Sequence, residues 1–279
     1  NEWYCLIEGE KHPIDKADFS FTYNNQKLKF DVIVNTIHGT PGEDGHMQSY
    51  WELVDLPYSG CNFYQSALTF NKRDTLSVLS KFNIPKANSV YLRKGDAIEG
   101  EKIATELGLP FFVKPNQSGS SLGVSRVNSL VDLPKALDFA FAEDNDILIE
   151  SFLNGTEISV GVLNYKGKTT VLGITEIVPE NEFFDYEAKY LGKSQEITPA
   201  RIPADIAEKV NAVAKRAYEI LNMKGFSRSE FILVDGEPYM LEMNTIPGLT
   251  TESLIPQQAR EAGISLEDLF TNAIELALK

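Results

Sequence analysis

Strand and helix signals alternate along this chain, and that alternation limits it to a mixed α/β or α+β architecture. Lys29 to Asn35 reads as a buried strand ending in a polar, glycine-rich loop, His38 to Gly45; a helical pattern follows from Met47 to Leu56, then a Pro57-Tyr58-Ser59-Gly60 turn. A second helical block covers Asn71 to Lys81, and Ile84-Pro85 reads as a linker. Beyond it come a helix (Glu99 to Leu107), a strand (Phe111 to Lys114), a Gly/Ser-rich turn, a strand (Val124 to Val127), a helix (Leu130 to Ala142) and a strand (Asp146 to Glu150). Ile158 to Val178 is β-rich around a hairpin turn at Asn164-Tyr165-Lys166-Gly167. Glu180 to Pro203 carries turn formers, charges and aromatics without periodicity, and so long a stretch inside a compact domain is usually functional or disordered. An amphipathic helix (Asp205 to Leu221), two strands joined at Asp235-Gly236 and a helical C-terminus complete the chain. The expected units are 1–84, an N-terminal α/β domain, 85–155, a small central one, and 156–279, a C-terminal one. The opening Asn1-Glu2-Trp3-Tyr4, without an initiator Met, reads as if the start of the first unit were missing.

Composition narrows the partners. With 26 Lys plus Arg against 40 Asp plus Glu, the net charge of −14 argues against nucleic acid or an anionic membrane, both of which are bound through clustered basic residues. Only Cys5 and Cys61 occur, which excludes a disulfide framework and a cysteine-based zinc site, and His12, His38 and His46 form no zinc-binding helix pair. No apolar run approaches the roughly 20 residues of a membrane span, and no signal-peptide core opens the chain. A soluble, cytoplasmic protein is expected.

Four constellations carry chemistry. In Lys114-Pro115-Asn116-Gln117-Ser118-Gly119-Ser120-Ser121-Leu122-Gly123 a strand delivers a lysine, and small residues then expose successive backbone N–H groups and hydroxyls that can wrap phosphate oxygens. It is not a Walker loop, and a plain surface hairpin is the alternative. Arg228-Ser229-Glu230 and Glu242-Met243-Asn244 each put polar groups two apart on one strand face. Two carboxylates and an amide oxygen suit Mg²⁺, whereas a solvent-facing polar strand needs no ion. Asn244 to Thr250 is a Pro-Gly turn leading to Ser253-Leu254 at a helix start, where free N–H groups can hold a carboxylate. Taken alone, simple capping by Thr or Ser explains it better. Glu150-Ser151-Phe152-Leu153-Asn154-Gly155-Thr156-Glu157 could offer backbone groups to an adenine edge and an acid to ribose, or could be an ordinary turn.

The metal reading places a demand on the hairpin. Asp235-Gly236 between strands signals a two-residue turn, which pairs Val234 with Glu237 and sets Glu230 opposite Leu241. Glu230 and Glu242 would then lie on opposite sheet faces, unable to share an ion. An odd-length connection or a bulge is therefore expected, with both carboxylates on one face.

In this order and spacing the four segments resemble the ATP-grasp fold, and more narrowly the D-alanine–D-alanine ligase family. The likeness includes Ile37-His38-Gly39-Thr40-Pro41-Gly42-Glu43-Asp44-Gly45, the Lys72 region, Phe184-Asp185-Tyr186-Glu187-Ala188-Lys189-Tyr190 and Glu242 to Ser253, and covers essentially the whole chain. The resemblance implies an ATP-grasp protein with an incomplete N-terminal doubly wound domain, and ATP-dependent joining of two D-alanines through an acyl phosphate for peptidoglycan synthesis. It implies that Lys72 and Lys114 hold ATP phosphates with Ser120 and Ser121, that the backbone from Glu150 through Ser151 and Phe152 to Leu153 meets adenine, and that Glu157 holds ribose. Glu230, Glu242 and Asn244 would carry two ions, Mg²⁺ or Mn²⁺. Arg228 and the Gly248 N–H would stabilise the oxyanion. His38, Ser120 and Tyr190 would orient the first D-alanine, Ser253 and Leu254 would meet the second carboxylate, and Lys189 would reach the γ-phosphate from a closing loop. A homodimer is also implied. The chain departs from the pattern in carrying Glu230 where Asp is common and Ser151 where Lys is common, and in lacking the family's first strand, its glycine loop and the glutamate that props the Ser–Tyr pair. A D-alanine–D-lactate ligase and a non-catalytic ATP-binding paralogue are the competing readings; Tyr190 in the Lys-Tyr pair favours the amine substrate.

Overall fold

A computed structural model describes residues 2–119, 121–179 and 194–279. Residues 4–28 form an antiparallel meander of β1 (Tyr4–Ile7), β2 (Glu10–Asp15), β3 (Ser20–Tyr23) and β4 (Gln26–Leu28), in spatial order β1-β2-β3-β4. The segment from Lys29 to Asn35, expected as a buried strand, is extended but mostly half-buried or exposed, and makes one parallel bridge, Ile33 to Tyr58. Ile33 N–H donates to Pro57 O at 2.8 Å and Ser59 N–H to Ile33 O at 2.8 Å. Its apolar run met the requirement for a strand, yet among the described residues it has a partner on one edge only.

Three short helices follow: α1 (His46–Leu53), α2 (Phe63–Phe70) and α3 (Lys72–Ser80). The last two start where their caps dictate. Asn62 Oδ1 accepts from Tyr64 and Gln65 N–H, and Asn71 Oδ1 accepts from Asp74 N–H at 3.0 Å.

A second sheet, in order β5-β8-β6-β7, is built from β5 (Ser89–Arg93), β6 (Phe111–Pro115), β7 (Ser125–Val127) and β8 (Asp146–Ser151), with α4 (Gly100–Leu107) and α5 (Leu133–Glu143) packed on it. Alternation decides its faces. Phe111, Val113, Val127, Ile147 and Ile149 pack with Ile103, Leu133, Leu137 and Ala140. Phe112, Lys114 and Glu150 therefore point the other way, with Phe112 directly opposite Glu150.

The third sheet has the order β11-β10-β9-β12-β13, from β9 (Thr156–Tyr165), β10 (Lys168–Pro179), β11 (Ser194–Ile197), β12 (Phe226–Val234) and β13 (Glu237–Asn244). Helix α6 (Ala204–Ile220) covers one face, burying Val210, Ala214, Ala217 and Tyr218 against Ile158, Val160, Val162 and Phe231. Each large apolar side chain buried in this way contributes on the order of 1.5–3 kcal/mol. Helices α7 (Leu254–Glu261) and α8 (Leu266–Ala277) cover part of the opposite face through Ile255, Ala259 and Leu269. Gly161 permits that contact, since a Cβ there would stand 2.3 Å from Gln258 Oε1 and 2.7 Å from Ile255 Cδ1. We expect Gly161→Ala to lower unfolding free energy by roughly 1–3 kcal/mol; a denaturant midpoint equal to wild type would contradict this packing.

The hairpin β12–β13 resolves the conflict between turn propensity and chemistry. Asp235 (φ 50°) and Gly236 (φ 78°) both have positive φ, as a two-residue type I′ turn requires, and Val234 pairs with Glu237. The register then slips: Phe231 pairs with Met240, but Glu230 pairs with Glu242. Leu241 is the extra residue of a bulge. Arg228 falls opposite Asn244, so these four polar residues share one face. The unperiodic stretch before α6 contains β11, paired with β10 from Glu176–Ile197 to Pro179–Ser194. The remainder of that stretch, 180–193, lies outside the described residues, together with the lid reading that rests on it.

Candidate active site

A cleft of about 470 Å³ opens between the second and third sheets. Lys72, Lys114, Ser121, Glu150 to Leu153, Glu157, Glu230 and Glu242 all line it, so strands of both sheets, the Gly/Ser loop and the start of α3 converge there. Phe112 and Phe152 form one apolar end, their ring centroids 6.2 Å apart, and the Arg126 guanidinium lies over the Phe152 ring at 4.9 Å. Arg126 and Phe112 carry no local sequence signal for such a place. Only the register, which sets Phe112 opposite both Arg126 and Glu150, brings Phe112 to the cleft and Arg126 over the Phe152 ring beside it.

Asn116 ties the two cleft lysines, Lys72 and Lys114, to one another. It follows Lys114 out of β6, its carbonyl accepts from Lys72 N–H at 3.3 Å, and its Oδ1 accepts from Arg73 N–H at 2.9 Å. The first turn of α3 is thus tied to the strand carrying the second lysine. Lys114 Nζ lies 2.6 Å from Glu150, both nearly buried. Lys72 Nζ lies 3.0 Å from Glu242 and donates to Ser118 O at 2.6 Å. The Gly/Ser loop closes tightly behind them: Gly123 (φ +73°) could carry no Cβ, which would stand 2.6 Å from Pro115 Cγ.

Arg228 and Glu230 form the third ion pair, with guanidinium NH2 and Nε at 2.8 and 3.1 Å from Glu230 Oε1. Burial pulls the Arg228 pKa down, but the charges of Glu230 and Glu242 outweigh it and hold the guanidinium above its ordinary value. Among the described residues no group of three His, Cys, Asp or Glu could hold a metal. The oxygen set is instead two carboxylates and an amide: Glu230, Glu242 and Asn244. Such hard donors fit a divalent ion that completes its shell with phosphate and water.

The loop from His38 to Gly45 reaches the end of β13 from the N-terminal side. His38 Nδ1 lies 2.9 Å from Ile246 O; a carbonyl only accepts, so Nδ1 carries the proton. Glu43, 5% exposed, holds this arrangement: it accepts from Gly39 N–H (3.0 Å), Thr245 N–H (3.1 Å) and Ile246 N–H (3.3 Å), and lies 3.5 Å from His38 Nδ1. Nothing local in the sequence gives Glu43 this role, because 202 residues separate it from Thr245. We expect Glu43→Gln to cost about 1–3 kcal/mol of stability, as an amide nitrogen meets N–H groups that need an acceptor. Chemical denaturation checks this.

Gly248 and Ser253 face each other, and a Cβ on Gly248 would stand 2.7 Å from Ser253 Oγ. Ser253 sits at the N-cap of α7 yet makes no side-chain cap. Its hydroxyl bonds Thr250, accepting from the N–H at 3.2 Å and meeting Oγ1 at 2.8 Å. Capping, the better sequence explanation for this turn, is therefore not what Ser253 does. Leu254 is buried, so it can present only its backbone N–H. Arg228, Asn244, His38, Gly248, Ser253 and Leu254 are not walls of the cleft itself. Ser120, Lys189 and Tyr190 lie outside the described residues.

Comparison with known proteins converges on one family. Residues 78–275 match the family described as D-ala D-ala ligase C-terminus, and residues 8–61 match D-ala D-ala ligase N-terminus. A D-alanine–D-alanine ligase of Flavobacterium psychrophilum is 68% identical over 277 residues, covering 99% of this chain and 84% of that protein. Among solved structures, a D-Ala:D-Ser ligase from Enterococcus faecalis superposes with TM-score 0.89 at 29% identity, over 99% of this chain and 87% of that one. A Bacillus anthracis D-alanine–D-alanine ligase complexed with ATP gives 0.78 at 30% identity, over 89% and 79%. The fold is ATP-grasp, and the chain belongs to the D-alanine–D-alanine ligase family.

Proposed function

We infer that this protein joins two D-alanine molecules into D-alanyl-D-alanine for peptidoglycan synthesis, cleaving ATP to ADP and phosphate through an acyl phosphate. One observation carries the site assignment: the bulge at Leu241 puts Glu230, Glu242, Arg228 and Asn244 on one face, beside a cleft supplied with Lys72 and Lys114. Family membership carries the substrate.

In this reading the nucleotide fills the cleft, adenine against Phe112 and Phe152 with its edge at the Glu150 to Leu153 backbone, and ribose at Glu157. Lys72 and Lys114 hold phosphate oxygens, and Ser121 with Ser120 offers hydroxyls and N–H groups. Glu230, Glu242 and Asn244 would hold divalent metal, two ions of Mg²⁺ or Mn²⁺. An ion held there would supply positive charge to offset that of the phosphates, and the γ-phosphoryl group moves to the carboxylate of the first D-alanine. His38 orients that D-alanine, with Ser120 and Tyr190. The Ser253 hydroxyl and the Leu254 N–H, at the start of α7, receive the carboxylate of the second, whose neutral amine attacks the acyl phosphate. Arg228 and the Gly248 N–H stabilise the developing oxyanion, the largest kind of contribution in acyl transfer. Lys189 completes the γ-phosphate contacts.

The wider reading divides the chain at residues 84 and 155, and the three sheets fall on either side of those points. It places the protein in the cytoplasm, where ATP is supplied; no helix among the described residues is long and apolar enough to cross a membrane. It pairs two copies as a homodimer, which light scattering tests. The substrate is tested by phosphate release with ATP and Mg²⁺, comparing D-alanine alone, D-alanine with D-lactate, and L-alanine. Release with D-alanine alone is expected; release only when D-lactate is added would replace the substrate assignment.

A further inference from the structure

Three ion pairs in or beside the cleft share one composition. Each joins a cation suited to the nucleotide or the oxyanion with a carboxylate that also faces the ligand: Lys114 with Glu150, Arg228 with Glu230, and Lys72 with Glu242. The last joins a phosphate-binding group to a metal-binding one. The Lys72 side chain is 10% exposed and that of Glu242 24%, so the ammonium is largely out of water while the carboxylate stays partly exposed on the cleft side. Lys72 is also held in place, since Asn71 and Asn116 fix the start of α3 and Ser118 O accepts from its ammonium at 2.6 Å.

From this geometry we propose that Lys72 has a second role: it is a resting counter-ion of Glu242, and so makes metal binding conditional on nucleotide. A divalent cation approaching the nucleotide-free site meets a carboxylate already neutralised by an ammonium, and a positive charge beside it. Nucleotide phosphates draw the Lys72 charge to themselves and release Glu242 to the ion. Phosphate and metal thereby exchange partners in one step, and each raises the affinity of the other reciprocally. The device keeps the carboxylates from collecting metal in a form that cannot act on ATP. Lys114 has no such link, because its partner Glu150 belongs to the adenine end of the cleft.

This inference rests on the assignment of Glu230, Glu242 and Asn244 as metal ligands, and the experiment separates the two. Mn²⁺ binding to nucleotide-free protein is titrated by loss of the free-ion paramagnetic resonance signal. Lys72→Met is expected to bind Mn²⁺ about tenfold more tightly than wild type, the lower end of what a close charge pair contributes. Lys72→Arg, which keeps the charge, should stay as weak as wild type, and Lys114→Met should not change it. Lys72→Gln serves in place of the Met variant should that one not fold, judged by circular dichroism. Unchanged affinity in the neutral variants, or equal tightening in Lys72→Arg or Lys114→Met, overturns the proposal. The metal assignment is read separately from Glu242→Gln with ADP present: weaker Mn²⁺ retention upholds it, and wild-type retention removes it and the proposal together.

Discussion

Glu242→Gln is expected to lower kcat by about 10³ or more while leaving the fold intact. The substitution keeps shape and removes one anionic oxygen donor from a site with only two carboxylates among the described residues. Loss of metal-centred charge stabilisation is worth several kcal/mol, and each 1.36 kcal/mol is a factor of about ten in rate. Stability should fall little, because Lys72 keeps its bond to Ser118 O and Glu242 is partly exposed. Steady-state kinetics with saturating ATP and D-alanine measures it; a loss under about tenfold would contradict the assignment.

Arg228→Met should damage both folding and catalysis. Glu230 is 7% exposed and holds the guanidinium with two hydrogen bonds to one oxygen. Removing that partner leaves an uncompensated buried carboxylate, at about 3–5 kcal/mol. In the proposed mechanism the oxyanion also loses a donor, which should lower kcat by roughly 10²–10³. Adding Glu230→Gln to Arg228→Met should restore much of the stability and none of the activity, since the orphaned charge is gone but so is the proposed metal ligand. Additive destabilisation in the double variant would show that the two side chains do not act as a pair.

What the sequence disclosed followed the physics of local signals. The helical block expected from Asn71 does start there, with Asn71 as its N-cap, and Lys166-Gly167 forms its hairpin with both φ positive. The bulge at Leu241 was predictable only by setting a chemical demand against a turn preference: Asp235-Gly236 fixes a two-residue loop, and the shared face of Glu230 and Glu242 then requires one extra residue. Other features left no local trace. β11, Ser-Gln-Glu-Ile, is polar and four residues long, and becomes a strand only by pairing with β10. β1 to β4 are short, with little fully buried surface outside Ser20 and Phe21, so their periodicity is weak. Glu43 reads as one more acid in an acidic chain until its partners at Thr245 and Ile246 arrive from the other end. Lys72 and Glu242 are likewise separate signals whose pairing depends on the packing of α3 against β13.

The acyl-phosphate route has a direct isotopic signature. D-alanine carrying ¹⁸O in both carboxylate oxygens is incubated with ATP, Mg²⁺ and the protein, and the released phosphate is examined by mass spectrometry. Attack of the carboxylate on the γ-phosphorus, followed by displacement of phosphate by the amine, transfers one labelled oxygen to every phosphate and leaves one in the new peptide carbonyl. One ¹⁸O per phosphate, formed together with one dipeptide and one ADP, is the result that route predicts; unlabelled phosphate, or phosphate released without dipeptide, would contradict it.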